Sequence, residues 1–308
     1  MDPTFQPSKA MPEETEASKR VMERIGKRML KRRVDALKSL PTFPESIMRI
    51  NEVLLRGDGH QSLEQIARVI EADPVVTART LRLVNSAFYG VSGAIASVYD
   101  ALLMLGLDVV RGIILSTTAM ELASGQSGIR GLWEHSYGCA VAATALGREL
   151  GLPRVEELSA AALMHDLGKL VFASQLGREY DEVVAHAVRH DECIRDVEEK
   201  MLGVSHDLIG EWLVTRWRFP LALAEPIALH HTPEKAKRYP EACAVVHVAD
   251  ILVRGYGFGF AGDHIMPELS TKAWKRLRLN GKTLNAVIRR MHDDLQVAMA
   301  QANLYVFE

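Results

Sequence analysis

Histidine and aspartate side chains set inside apolar helical stretches constrain this chain more than any other feature. They are His135, the pairs His165-Asp166 and His230-His231, and Asp250, with Lys169 one helical turn beyond Asp166. Taken singly, a histidine in an apolar helix is more often a satisfied core residue than a ligand. Taken together, burying all of them apart would demand a separate set of hydrogen-bond partners for each. A shared site is the less costly solution. Imidazoles and carboxylates spread over more than a hundred residues of helical sequence are what a helix bundle needs to build a metal cluster. The pattern points to a hydrolase or to a descendant that has kept its ligands.

The rest of the sequence agrees with a bundle. Sustained β-type alternation is absent and strand-then-helix order does not recur, so the fold class is all-α. Ser62-Leu63-Glu64-Gln65 reads as a helix start, and Asp73-Pro74 as an N-cap followed by proline at the first helical position. Ser97 caps a helix expected to run through Leu105 and, past Gly106, to Ile114. Further helices are expected over Trp133–Leu150, Ala160–Phe172, Leu208–Trp217 and Leu221–His231, and the apolar tail after Ser270 should pack on the body. Four stretches are expected: a disordered leader over 1–17, a basic amphipathic helix over 18–40, an N-terminal helical subdomain over 41–129, and a second helical subdomain with C-terminal helices over 130–308. The Gly- and Ser-rich run Ala123–Gly131 marks the last boundary.

Composition excludes several classes. A 308-residue chain that is 48% hydrophobic and 25% charged is an ordinary globular protein. Its net charge of −2 does not mark a nucleic-acid binder. The segment Lys19–Lys38 is nonetheless +7, leaving −9 elsewhere. That arm reads first as a solvated helix face and second as a dock for a membrane surface, a nucleic acid or a partner. No helix-turn-helix or aromatic platform accompanies it, which argues against nucleic acid. Cys139, Cys193 and Cys243 are odd in number and far apart, so neither a disulfide framework nor a thiolate zinc site is favoured. No apolar run is long enough to span a bilayer and no export signal is visible, so a cytoplasmic setting is expected.

Within the expected helix Ala160–Phe172, His165 and Asp166 diverge by about 100° and can share an ion only if it sits over the helix edge. Lys169 falls on the same face, where a cation suits a phosphate. Octahedral ligation by imidazole, carboxylate and water favours one or two ions of iron, manganese or magnesium over a closed zinc site. His206, at the start of an apolar helix, reads equally as an extra ligand or as a capping residue. His247 is placed to support Asp250, His186 and His190 read as surface residues, and His60, His264 and His292 have no arguable partner.

Several strings together carry a family resemblance: Leu40-Pro-Thr-Phe-Pro44, Ile70-Glu-Ala-Asp-Pro74, Leu83-Val-Asn-Ser-Ala-Phe-Tyr-Gly90, Ala101-Leu-Leu-Met-Leu-Gly106, Trp133-Glu-His-Ser136, His165-Asp-Leu-Gly-Lys169 and Trp212 to Pro220. Over about residues 34–255 the chain resembles the HDOD family, signalling modules of bacteria related to the HD phosphohydrolases. The resemblance implies an N-terminal helical bundle packed on an HD-like bundle. It implies a regulator that acts through signalling protein partners, with a metal or nucleotide in the HD-like pocket. The alternative it implies is a metal-dependent phosphohydrolase acting on a nucleotide or cyclic nucleotide. The metal set would be His135, His165, Asp166, His206, His230, His231 and Asp250, with Lys169 and Asp166 in the catalytic roles. Two departures from the HD-GYP relatives stand out: those place an acidic residue after the double histidine and a Gly-rich turn before Tyr-Pro, whereas here the stretch is His230-His-Thr-Pro-Glu-Lys-Ala-Lys-Arg-Tyr-Pro240, and Gly131 stands where those relatives can place a carboxylate.

Overall fold

The computed structural model describes residues 52, 63–85, 95–123 and 129–301, and among them every regular element is helical. The leader, the basic helix, the Ser62 start signal, most of the Asn85–Gly90 string and residues 124–128 of the boundary run lie outside the described residues.

Helices α1 (Leu63–Glu71), α2 (Pro74–Val84), α3 (Val98–Leu105) and α4 (Leu107–Ala123) form the N-terminal bundle. Asp73 caps α2 by accepting from the amides of Val75 and Val76 at 3.0 and 3.1 Å. Asn85 shapes the turn that follows: its amide group donates to Leu81 O and Ile95 O, and its oxygen accepts from Ile95 N. Ser97 caps α3 as its sequence implies, but the expected continuation to Ile114 does not form. Gly106 takes φ +81° and divides that stretch into α3 and α4. Helix α4 is buried on all sides from Val109 to Thr118 because it packs on α2 and also on two helices of the second bundle.

Helix α5 (Leu132–Glu149) is the axis of the second bundle and is buried without interruption from His135 to Gly147. Its small residues are why neighbours come so close: a Cβ on Gly138 would lie 2.8 Å from Phe258, and one on Gly147 would lie 3.1 Å from Val155. Around it pack α6 (Val155–Met164), α12 (Pro240–Tyr256) and α14 (Gly281–Gln301). Helices α7 (Leu167–Leu176), α8 (Arg178–His190), α9 (Ile194–Leu202), α10 (His206–Arg216) and α11 (Leu221–Leu229) build the rest, with a short 3-10 turn at Pro233–Lys235 and α13 (Thr271–Arg276). Helix α4 lies against α6 and α7, and so joins the two bundles.

Two expected helices are shorter than their apolar content suggests. Ala160–Phe172 is two helices: Asp166 leaves helical geometry (φ −97°, ψ 13°) between α6 and α7. Leu221–His231 stops at Leu229, where Thr232 N donates to Leu229 O at 2.9 Å. Both histidine pairs therefore stand at helix ends.

Candidate metal centre

The break at His165-Asp166 removes the divergence that a continuous helix would impose. Asp166 Oδ2 lies 3.3 Å from His165 Nε2 and 3.6 Å from His135 Nε2, and Asp166 Oδ1 lies 3.3 Å from His206 Nε2. Helix α12 brings Asp250 to the same space, 3.1 Å from His135 Nε2 and 4.0 Å from His165 Nε2. The end of α11 adds His230, whose ring centroid is 4.9 Å from that of His165, and His231, whose Nε2 is 2.9 Å from His206 Nε2. All seven candidate ligands thus converge. His231 is half-buried and the other six are buried. Lys169 is 1% exposed and donates to Asp166 Oδ2 at 2.7 Å.

Three of the imidazoles are fixed at Nδ1. His165 donates to Ala162 O at 2.7 Å, His230 to Ile227 O at 2.8 Å, and His206 to Glu198 Oε2 at 2.6 Å. Each therefore turns Nε2 inward. His230 Nε2 and Asp166 Oδ1 are buried without a hydrogen-bond partner. Inward-facing nitrogens, two carboxylates and orphaned buried polar atoms fit a divalent cation. Candidate groups within coordinating reach are His135, Cys139, His165 and Asp250; His206, His230 and His231; and His165, Asp166 and His230.

Burial would raise the Asp166 carboxyl, but the charges of His165 and Lys169 hold it well below the usual carboxylate range. Asp250 is likewise held low against burial by Arg254 and His135. Burial pushes His230 down to about 3, with His165 and His206 adding repulsion. Burial also lowers His135, His231 and His247. His165 goes the other way, since the field of Asp166 outweighs its burial. A histidine lowered in the folded state takes up its proton first in the unfolded chain, so acid favours unfolding below about pH 6.5. Four lowered imidazoles outweigh the single raised one. The metal-free chain is expected to lose thermal stability steadily from pH 7 to 5, above the carboxylate range, as a melting series would read.

The structure adds residues that sequence reasoning missed. Glu198 on α9 is buried and joins three partners: its Oε2 accepts from His206 N and Nδ1, and its Oε1 accepts from Tyr180 OH at 2.7 Å. Ile194, Val197, Glu198 and Leu202 are the buried stripe of α9, so a carboxylate at an apolar position was the available signal. Arg254 bridges Asp250 Oδ1 at 2.9 Å to Asp263 Oδ1 at 2.8 Å. Cys139, one turn beyond His135, places Sγ 3.5 Å from His135 Nε2. Because Glu198 orients His206, Glu198→Gln is expected to weaken metal binding by about 10- to 100-fold while the chain stays folded. Chelator competition would measure it, and unchanged affinity would show that His206 is not a ligand.

The expected support of Asp250 by His247 does not occur. His247 Nδ1 donates to His230 O at 2.8 Å, and Ser270 N donates to its Nε2 at 2.9 Å, because α12 turns this side chain toward the His230 backbone. His292 does have a partner, Tyr256 OH at 2.6 Å. His186 and His190 stack on each other, with ring centroids 4.3 Å apart, away from the centre. Gly131 starts α5 at φ +89°, and its carbonyl accepts from Phe260 N at 2.9 Å.

The chain is similar to known proteins along most of its length. A crystal structure of an HDOD domain protein with unknown function from Geobacter sulfurreducens shares 27% identity at a TM-score of 0.60, covering 92% of this chain and 95% of that one. A provisionally named signal transduction protein from Marinobacter aquaeolei VT8 shares the fold at 19% identity and a TM-score of 0.66, over 92% of this chain and 65% of that one. So does a provisionally named phosphohydrolase from Shewanella amazonensis SB2B, at 19% identity and 0.60, over 85% and 97%. An uncharacterised protein of Treponema pallidum (strain Nichols) is 24% identical over 223 residues, which is 71% of this chain but 43% of that relative. The chain spans less than half the length of that curated relative. The HDOD domain profile matches residues 40–233, and the chain belongs to the HDOD domain family.

Proposed function

We propose that the chain is a signal-transduction module that holds a divalent metal at the convergent His/Asp centre and acts through a partner protein. The observation that carries this is the inward set of Nε2 atoms on His165, His206 and His230, each fixed by an acceptor at Nδ1. Five imidazoles among the candidate donors favour iron or manganese over magnesium, which prefers oxygen. His135, His165, Asp166 and Asp250 would hold one ion, and His206, His230 and His231 a second. When bound, such an ion lowers the pKa of a water ligand. Regulation ranks above hydrolysis because the Lys169 ammonium, which would otherwise meet a phosphate, is buried and committed to Asp166.

The test is the metal content of protein purified without chelator or metal-affinity resin. One or two equivalents of iron or manganese are expected. A well-folded protein free of metal would overturn the assignment. The half-buried position of His231 favours a second reading, a metal-dependent phosphohydrolase acting on a nucleotide or cyclic nucleotide. Cleavage of a chromogenic phosphodiester by metal-loaded protein, absent in the His165→Ala variant, would move the assignment there.

A further inference from the structure

A cavity of about 540 Å³ lies outside the centre, between the 3-10 turn, the start of α12, and α13 with the residues just after it. Its size is in the range of small-molecule sites. Lys272, Lys275, Arg276 and Arg278 line it, and among the described residues none of the four has a carboxylate within ion-pair distance. Glu234 and Glu241 complete the polar lining. Four cations against two carboxylates select an anion, yet a bare phosphate would face the two carboxylates at no benefit. A molecule with phosphates at one end and hydroxyl or amino donors at the other satisfies both.

The cavity is wired to the centre by consecutive hydrogen bonds. Ser270 is the N-cap of α13, accepting from Ala273 N with its side chain, and its backbone amide donates to His247 Nε2 at 2.9 Å. His247 in turn donates to His230 O at 2.8 Å. The opposite wall, Pro233–Lys235, begins two residues after His231. Both walls therefore lead to the double histidine.

We propose that this cavity is an effector site for a phosphorylated small molecule of the nucleotide class, and that its occupancy is coupled through Ser270 and His247 to metal held by His230. The coupling rests on the metal-centred reading; the ligand site does not. Coupling is reciprocal: whatever the effector does to metal affinity, metal does equally to effector affinity.

The experiment uses ADP as probe and adenosine as control, with the 308-residue chain in metal-loaded and metal-stripped forms, read by titration calorimetry and by chelator competition for the metal. ADP should bind and adenosine should not. Lys275→Glu combined with Arg278→Glu should weaken ADP binding by about tenfold or more, because both lie on the exposed wall. ADP should change the metal affinity of the native chain by about five- to 150-fold. His247→Leu should keep ADP binding and abolish that change. Absence of ADP binding, or equal binding by the charge-reversed variant, overturns the site. Binding with no effect on metal affinity overturns the coupling. If the chain holds no metal but still binds ADP at this wall, the ligand site stands and the metal-centred reading falls.

Discussion

Asp166→Ala is expected to cost about 3–5 kcal/mol of stability, and Asp166→Ala combined with Lys169→Met to recover more than half of it. Lys169 is 1% exposed and its ammonium donates to Asp166 Oδ2 at 2.7 Å. Removing the carboxylate alone leaves a buried cation with no counter-charge. Methionine keeps the length of the side chain and deletes the charge, so the double variant returns an apolar contact in place of an ion pair. Neither variant should retain metal. Urea denaturation with an unchanged m-value separates the stability effect from a change in compactness, and elemental analysis reads the metal. A single variant as stable as the native chain would mean that Lys169 finds another acceptor and that the pair does not hold the turn between α6 and α7. Loss of metal is therefore best scored in the double variant, where it is not confounded with unfolding.

Gly168→Ala is the second large effect, above about 4 kcal/mol. Gly168 lies two residues after Asp166, in the first turn of α7, where that helix meets the start of α10. A Cβ there would overlap the carbonyl oxygen of His206 and come within 2.9 Å of His206 Cα. The obstacle is backbone, so no side-chain rotation relieves it, and α7 and α10 would have to separate. That separation would also withdraw His206 Nε2 from Asp166, now 3.3 Å away. The expected result is a chain that folds poorly and binds little metal even where it folds. A thermal midpoint within a few degrees of the native value would show that the two helices can slide apart without loss.

The helical class was legible because it rests on residue types, and a shared site was the expected solution for the polar groups, but whether the ligands converge is a property of the fold that the sequence alone does not carry. Polar groups in apolar stretches must share partners, and this holds whatever the topology. The break at His165-Asp166 was not legible, since it carries neither the glycine nor the proline that usually ends a helix, and Gly168, which follows it, serves a close approach instead; at the second pair Pro233 follows, and the expected end at His231 was only two residues late. Among the described residues, the proline inside a helix, Pro226, sits where the helix continues. Apolar periodicity runs straight through the first break, because small and apolar residues lie on either side of it. Glu198 was hidden by its neighbours: within Asp196-Val-Glu-Glu-Lys200 it reads as part of a solvated charge run, although it alone of that run's charged residues is buried. His247 lies one turn from Asp250, and spacing along α12 could not tell which neighbour it faces. Its acceptor is a backbone carbonyl from another part of the chain.

The enclosure of the donors has a consequence in time. Six of the seven side chains are buried and only His231 reaches toward solvent. An ion held inside such a shell exchanges no faster than the shell opens, and opening of a packed core is slow and rare. On the metal-centred proposal, the chain would carry forward the ion it met while folding, and its metal content would be a memory of past supply and not a gauge of the present one.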